Sequence, residues 1–354
     1  MGKTPPVDLQ IDLRDSPAVT GNAVTGNRRA TIAEVADVAG VSRTTVSHVL
    51  SGNRAVAQAT RERVEGAIKE LGFRPNGLAR SLRARRSDTV ALIIPDITNP
   101  YYPVLARGLD DALSGHRTLI CNTDAARTRE IDFAADAFDR HVDGMVLVAF
   151  QIGAGDLLDI IDSGLPVVSI GASIDDPRVD VVLTDDEHGA FEATRFLIAR
   201  GHRRIGMIGG AEGPGHRRAA GYRRALDEAG LDPDAVLTAI AEWTRRGGQE
   251  AMRRLLGLDD RPTAVFCAND LMAIGAMDVA RNAGLSIPRD LALVGYDDIE
   301  AATLVNPPLT TVVNPAYEAG QAAGRLLLDR MTGRHTGQRR EVVLRARLVE
   351  RGSA

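Results

Sequence analysis

The side chains best suited to recognising another molecule lie at residues 42–48, Ser-Arg-Thr-Thr-Val-Ser-His. Arg43 can bond to O6 and N7 of a guanine, while Thr44 and Ser47 can reach base edges or phosphates. Thr44 and His48 are four positions apart and share one face if the segment is helical, and His48 can donate to a guanine or a phosphate. A short helix carrying this set would bind the major groove of DNA.

Three helices are predicted to position this set. Thr31 and Glu34 form a capping-box pattern at the start of a helix that ends at Gly40, and Ser42 can cap a second helix from Arg43 to about Leu50. Gly40 allows the tight turn of a helix-turn-helix, and a third helix spans about 58–71. The residues predicted to face inward are Ile32, Val35, Ala36, Ala39, Val41, Val46, Val49, Leu50, Val64, Ala67, Ile68 and Leu71.

The charge distribution agrees with a DNA-binding segment. Residues 31–86 contain ten basic and five acidic groups, a net charge of +5, whereas residues 87–354 have a net charge of −10 within a total of −4. A basic segment on an acidic body is expected when one part of a chain binds polyanions. A three-helix bundle for protein contact is the alternative, and it is disfavoured because the exposed positions are small and polar or basic.

The segment Arg74–Arg83 follows the third helix. Pro75 requires an extended entry and Asn76 can cap a short helix, which is too short to be stable alone in water. We therefore expect this segment to be disordered without DNA; a basic, solvated linker is the alternative. Residues 1–29, rich in Pro, Gly, Asn and Asp, are predicted to be a disordered arm.

From Thr89 the sequence alternates apolar strands with amphipathic helices, which predicts parallel sheets in two lobes. The predicted buried strands are Val90–Pro95, Thr118–Cys121, Gly144–Phe150, Val167–Ile170, Val181–Thr184, Arg204–Ile208, Ala264–Cys267 and Leu291–Tyr296. The predicted helices are Val104–Leu113, Ala190–Arg200, Ala219–Ala229, Gln249–Leu256 and Ala273–Ala283.

Polar or aromatic residues, and one glycine, follow several of these strands. Ligands bind beyond the carboxyl ends of the strands in open parallel sheets, so these residues predict a ligand cleft between the lobes. The residues concerned are Asp96, Asn99, Tyr101, Tyr102, Phe150, Gly171, Asp185, Asn269, Asp270, Asp297 and Asp298.

Residues 31–86 resemble the headpiece of the lactose-repressor/galactose-repressor (LacI/GalR) family. The resemblance rests on the first helix, Gly40-Val41-Ser42, Thr45-Val46-Ser47 and the segment after Pro75, and it extends over about 320 residues. It implies an α/β fold class: an N-terminal helix-turn-helix three-helix headpiece and a hinge helix, then a two-lobed periplasmic-binding-protein-like core of doubly wound parallel sheets. His48 stands where the family usually has Arg, so the usual Arg–guanine contact is not expected.

The resemblance also implies a domain division. The headpiece is 30–73, the hinge 74–87 and the effector-binding core 88–354. Within the core, the N-lobe is 88–184 and 313–340, and the C-lobe is 185–312 and 341–354.

The site residues follow from the same resemblance. The hinge would pair with that of a second subunit in the minor groove, where Leu82 is inserted as a wedge. The predicted DNA-binding residues are Thr31, Ser42, Arg43, Thr44, Thr45, Ser47, His48, Asn76, Ala79, Arg80, Leu82 and Arg83. Arg218, Asn269 and Asp297 match family effector contacts, and Phe150 and Trp243 match pocket positions. The predicted effector-binding residues are Asp96, Asn99, Tyr101, Tyr102, Phe150, Arg218, Trp243, Asn269 and Asp297.

These patterns predict a cytoplasmic, homodimeric repressor that a small sugar-like effector releases from a palindromic operator. A purine or nucleoside corepressor is the alternative ligand, and a solute-binding transport protein is the alternative class. No catalytic set, metal spacing or cofactor loop is found: the glycine-rich run 206–215 lacks the dinucleotide order. Cys121 and Cys267 are predicted to be buried reduced thiols, and no apolar run or signal peptide indicates a membrane.

Overall fold

In this computed structural model the described residues are 30–51, 54–73, 87–171 and 174–354. The chain divides into two compact units, residues 1–80 and 81–354. The predicted arm and the predicted hinge helix lie outside the described residues. No helix in the described ranges is long and apolar enough to cross a membrane.

Within residues 30–51 and 54–73 the first unit contains three helices, as predicted, namely α1 (Ile32–Ala39), α2 (Arg43–Ser51) and α3 (Gln58–Glu70). The capping box begins α1: the Glu34 amide donates to Thr31 Oγ1 at 3.3 Å, and the Thr31 amide donates to the Glu34 carboxylate at 2.7 Å. Gly40 ends the helix with a φ of 63°, a left-handed conformation that glycine adopts without strain.

A small apolar core holds these helices together. Its buried members are Val35, Ala36, Ala39, Val46, Val49, Val64 and Ala67, and Val41, Ile68 and Leu71 pack against them. The prediction that Leu50 faces inward is wrong, because its side chain is 37% exposed. Successive helical residues are rotated by about 100°, so Leu50 lies at the margin of the stripe that Val46 and Val49 form.

The second unit has two parallel sheets and a short antiparallel pair. The strands are β1 (Thr89–Ile94), β2 (Arg117–Asn122), β3 (Gly144–Leu147), β4 (Val167–Ile170), β5 (Asp180–Thr184), β6 (Ile205–Gly209), β7 (Thr238–Ile240), β8 (Ala264–Cys267), β9 (Ala292–Val294), β10 (Thr311–Val313), β11 (Glu341–Leu344) and β12 (Arg347–Val349). The first lobe has the order β11-β5-β4-β3-β1-β2, the second lobe has β7-β6-β8-β9, and β10 pairs with β12.

Helices cover both sheets. They are α4 (Tyr101–Ala112), α5 (Arg127–Asp139), α6 (Leu158–Asp162), α7 (Asp186–Ala199), α8 (Gly215–Glu228), α9 (Arg245–Leu256), α10 (Asp270–Asn282), α11 (Ala301–Leu304) and α12 (Ala316–Met331). Alternate residues of β1 enter separate apolar clusters on the two faces of the first sheet. On one face α12 packs closely against α4, since a Cβ at Gly320 would lie 2.1 Å from the Leu105 carbonyl oxygen.

The chain crosses between the lobes three times. It enters the second lobe after Thr184 and returns after Val313 to form α12, which packs against the first sheet. The lobe boundary predicted at 340/341 is wrong, because Glu341–Leu344 pairs with β5 in the first sheet. These residues complete the edge of the sheet beside β5, and the last crossing follows Leu344, before β12 pairs with β10.

The strand predicted as buried at Thr118–Cys121 is an edge strand. It forms the centre of β2, the outermost strand of the first sheet, where Leu119 and Ile120 are 38% and 42% exposed. A strand with one neighbour leaves part of its apolar surface uncovered, so an apolar run alone did not indicate burial. Cys121 and Cys267 are both free and buried.

Candidate functional site

The exposed face of α2 carries the residues predicted to bind DNA. Arg43 and Thr44 are exposed in the first turn, and Thr45, Ser47 and His48 are half-buried. Their spacing places Thr44 and His48 on one face, one turn apart. The helix therefore presents a guanidinium group, a hydroxyl group and an imidazole ring along about two turns.

Thr31 and Ser42 have a structural task at the two helix starts. Ser42 Oγ accepts a hydrogen bond from the Thr45 amide at 3.1 Å and lies 2.9 Å from Thr45 Oγ1, so it caps α2 as Thr31 caps α1. Helix starts of this kind also present free amides to phosphate groups. The predicted hinge contacts Asn76, Ala79, Arg80, Leu82 and Arg83 lie outside the described residues.

A cavity of about 580 Å³ opens between the two lobes of the core. It lies at the carboxyl ends of the strands, where the sequence predicted a cleft. All nine residues predicted to bind an effector line it: Asp96, Asn99, Tyr101, Tyr102, Phe150, Arg218, Trp243, Asn269 and Asp297.

Some of the polar residues that follow strands do not line the cleft. Asp185 is exposed and caps α7 by accepting from the His188 amide at 3.2 Å, and its neighbour Asp186 lines the cleft instead. Asp298 forms an ion pair with Arg351 at 2.6 Å. Asp270 is buried beside Thr311 Oγ1 at 2.5 Å, and burial raises the pKa of its carboxyl well above the usual range.

Arg218 is the central charged group of the cleft. Its side chain is 3% exposed; Nε donates to Asp186 Oδ1 at 2.8 Å and Nη1 donates to the Ala268 carbonyl. Nη1 also lies 3.5 Å from Asp297 Oδ1, and the guanidinium is 3.7 Å from the centre of the Tyr296 ring. A buried guanidinium held in this way has a fixed orientation, because each displacement would leave a buried charge unpaired.

Asp297 occupies an unusual backbone conformation with a φ of 109°. Its amide donates to the Val312 carbonyl at 2.8 Å, and its Oδ1 accepts from Asn314 Nδ2 at 3.0 Å. Burial raises the pKa of the Asp297 carboxyl to about 6, against the opposing effects of Arg218 and Asn314. Such a carboxylate is held in place to accept hydrogen bonds from a ligand and changes its charge in the physiological range.

Asn314 connects the carboxylate to the first lobe. Its Oδ1 accepts from Thr184 Oγ1 at 2.9 Å and lies 3.5 Å from the Tyr101 hydroxyl. Thr184 and Asn314 stand at two of the three crossings between the lobes. A ligand that contacts Asp297 would therefore lie against a network that reaches two of the crossings between the lobes.

Aromatic side chains form the walls of the cleft. The rings of Phe150 and Trp243 have centroids 6.0 Å apart at 61°, and those of Tyr101 and Tyr102 are 5.2 Å apart at 89°. Trp243 lies against Gly210, where a Cβ would be 2.1 Å from the indole. Gly210 has no side chain and so leaves room for the indole. The aromatic rings can pack against a sugar or a base.

Asn269 fixes the position of Trp243. Asn269 Oδ1 accepts from the Met272 amide at 2.8 Å as the N-cap of α10, and Nδ2 donates to the Trp243 carbonyl at 3.1 Å. This buried amide was predicted as a ligand contact, and in the structure it also holds an aromatic wall in position.

The residues at the cleft that were not predicted include four that hold its side chains and loops in place. Asp186, Thr184 and Asn314 belong to the network described above, and each lies at or just after the carboxyl end of a strand, which was the available signal. The fourth is Glu130, a fully buried carboxylate on α5. It accepts from the consecutive amides of Phe150, Gln151 and Ile152 at 3.0, 3.2 and 3.2 Å, which fixes the loop that carries Phe150.

Comparison with known proteins relates both units to one family. Residues 31–76 match the family described as bacterial regulatory proteins, lacI family, and residues 194–354 match a periplasmic binding protein-like domain. The ribose operon repressor of Escherichia coli strain K12 is 37% identical over 331 residues, which covers 92% of this chain and 100% of the relative. The chain belongs to the LacI family.

Solved structures agree with this assignment. The complex of the transcriptional regulator CelR with cellobiose is 37% identical, with a TM-score of 0.69, and covers 92% of this chain and 100% of the other. The Lac repressor dimer bound to operator and the anti-inducer ONPF is 25% identical, with a TM-score of 0.80, covering 92% and 99%. This LacI-family chain is a DNA-binding transcriptional regulator that responds to a small-molecule effector, and the predicted headpiece and two-lobed fold are confirmed.

Proposed function

We propose that this chain is a homodimeric repressor whose cleft binds a sugar-like effector and whose headpiece binds a palindromic operator. The observation that carries the proposal is the network of Arg218, Asp297, Asn314 and Thr184, which joins the cleft to two lobe crossings. A carboxylate and a guanidinium fixed at a cleft bond vicinal hydroxyls with geometric specificity. The cellobiose in the CelR complex supports a sugar as the ligand.

The DNA contacts in this proposal are on α2 and in the hinge. Arg43, Thr44, Ser47 and His48 contact base edges, Thr31, Ser42 and Thr45 contact the backbone near the helix starts, and the hinge inserts Leu82 at the centre of the site. The dimer in the Lac repressor–operator complex supports the pairing of two headpieces on two half-sites. Such a regulator acts on the chromosome, which is the ground for proposing a cytoplasmic location.

Effector binding would then alter the closure of the lobes. Because the crossings lie beside the ligand, closure changes how the N-lobes of the dimer hold the hinges, and hinge order sets operator affinity. We expect release from DNA on effector binding, with a coupling of about 1–3 kcal/mol, or about 5- to 150-fold in affinity.

A nucleoside corepressor is the second candidate. The observation that favours it is the pair of Phe150 and Trp243, whose rings lie at 61° to one another and form a wall on which a planar base can stack. A nucleoside has both a planar base and vicinal hydroxyl groups, which would donate hydrogen bonds to the Asp297 carboxylate.

The test is a gel-shift titration of the full chain on DNA from upstream of its own gene, with and without sugars and nucleosides. We expect a specific band at physiological salt that at least one sugar weakens. A ligand that strengthens the band would instead favour the corepressor. The absence of a specific band would contradict the proposed function.

A further inference from the structure

Acidic side chains outnumber basic side chains in the lining of the cleft. Among the described residues that line it, the acidic ones are Asp96, Asp124, Asp186, Glu212, Glu242 and Asp297, and the basic one is Arg218. Glu212 and Glu242 are exposed on the second lobe, and Asp96 and Asp124 lie on the first. Asp124 is paired with Arg129 and Arg246 interacts with Glu242, but the lining carboxylates still outnumber these cations and Arg218, so the cleft walls carry a net negative charge.

The single guanidinium does not offset this charge for a ligand. Arg218 is engaged by the Asp186 carboxylate, the Ala268 carbonyl and the Asp297 carboxylate, and the Tyr296 ring covers one face. An anionic group that reached Arg218 would compete with two carboxylates that the guanidinium already holds, and it would lie close to both of them.

Three helix N-termini at the cleft each have a side-chain oxygen bonded to a first-turn amide. Helix starts attract anions through their free amides. Here Asn99 Oδ1 accepts from the Tyr101 amide at 3.1 Å in α4, Asp185 Oδ1 from the His188 amide in α7, and Asn269 Oδ1 from the Met272 amide in α10. The start of α8, at Gly215, has no side-chain hydrogen bond of this kind.

We infer that the cleft selects an uncharged, hydroxylated effector and rejects its phosphorylated or carboxylated counterpart, with Glu212 and Glu242 as selectivity determinants. This inference rests on the proposed effector site and names its ligand class. Each carboxylate repels an anion through partly solvated space, and several together give a preference of about tenfold or more for the neutral ligand.

The experiment is a thermal-shift screen of the full chain with matched pairs, followed by calorimetric titration. The pairs are ribose and ribose 5-phosphate, glucose and glucose 6-phosphate, glucose and glucuronate, cellobiose and cellobionate, and cytidine and cytidine monophosphate. We expect the neutral member of each binding pair to have a Kd lower by about tenfold or more, and the ratio to shrink as salt screens the carboxylates.

The double variant E212Q/E242Q tests the determinants. We expect the ratio of the two Kd values to fall at least about threefold, because two repelling charges are removed. D227N/D259N is the matched control: it removes two exposed carboxylates of the same lobe that do not line the cleft, and it should keep the wild-type ratio.

Each outcome is informative. A phosphorylated or carboxylated member that binds as tightly as its neutral partner overturns the inference and leaves the effector site intact. An unchanged ratio in E212Q/E242Q overturns the role of the two glutamates. A screen in which no member binds overturns the proposed effector site, and the inference with it.

Discussion

The headpiece and the cleft differ in how exposed their candidate binding residues are and in what holds those residues in place. On α2 the candidate contact residues are exposed or half-buried, and a core of seven small or medium apolar residues supports them. In the cleft, Arg218, Asn269 and Asp297 are buried, and each is held by hydrogen bonds or ion pairs to other parts of the chain.

This difference has an energetic consequence. A side chain on the surface of α2 can be removed without leaving a buried group unpaired, so the loss should appear in DNA affinity alone. A member of the cleft network supports its neighbours, so its removal should affect stability as well as ligand binding. The following experiments test this contrast.

Arg218→Ala should have the largest effect. It leaves Asp186 and Asp297 as buried carboxylates without their partner, which should lower the free energy of unfolding by about 3–5 kcal/mol. Urea unfolding followed by circular dichroism measures this. The control is Arg107→Ala, which removes a 72% exposed guanidinium from a surface pair with Asp111 and should cost less than about 1 kcal/mol. Equal losses in the two variants would contradict a structural role for the Arg218 network.

Arg43→Ala should weaken specific operator binding by about 1–3 kcal/mol without changing the stability of the chain, because its side chain is exposed. Fluorescence anisotropy on the operator and on scrambled DNA measures the two affinities. Lys69→Ala removes the same charge from an exposed position of α3 and should weaken both DNAs alike. If Arg43→Ala also weakened both alike, Arg43 would contact phosphate rather than a base.

The pH should affect ligand binding through Asp297. Its pKa of about 6 lies above the usual value of 3.8, so its carboxylate becomes protonated as the pH falls from about 7 to about 5. If the ligand donates to the carboxylate, affinity should fall about tenfold across this range. The same raised pKa means that this group's contribution to stability decreases as the pH rises from about 4 to about 6.

Asp297→Asn is the matching variant, because it keeps the shape and removes the titration. Its ligand affinity should be lower at neutral pH and lack this pH dependence. A wild-type affinity that is constant between about pH 7 and about pH 5 would place the ligand away from Asp297.

Thr31→Ala should have the smallest effect. Loss of the cap on α1 costs about 1 kcal/mol of headpiece stability and leaves the unfolding of the core unchanged. Heteronuclear NMR of the headpiece signals in the full chain, during thermal unfolding, measures the shift. Thr60→Ala is the control: it lies in the first turn of α3, which begins without a side-chain cap, and it should not lower the transition.

The headpiece could be predicted from the sequence almost to the residue. Its helices begin at Ile32, Arg43 and Gln58, as predicted, because caps, glycines and apolar spacing act within a few residues of one another. Leu50 is the exception: its burial depends on where α3 crosses α2, which no local pattern records.

The cleft was predictable in its position and in its nine residues, but its internal connections were not. Four of the helices that border it begin three to four residues before the predicted starts, at Tyr101, Asp186, Gly215 and Asp270. The first turns that start at Asp186 and Gly215 consist of polar residues and glycine, so apolar periodicity does not extend into them. The pairs of Arg218 with Asp186 and of Asn314 with Thr184 join residues 32 and 130 positions apart, and only the folded sheets bring them together.

The buried carboxylate of Glu130 separates the shape of the cleft from its chemistry. It holds the loop at Phe150, Gln151 and Ile152 through backbone amides alone, so the path of the loop does not depend on which side chain stands at 150. A substitution at position 150 can therefore alter the cleft wall that faces the ligand without changing the path of the loop. Position 150 is therefore one at which a single substitution can change ligand preference, in evolution or by mutagenesis.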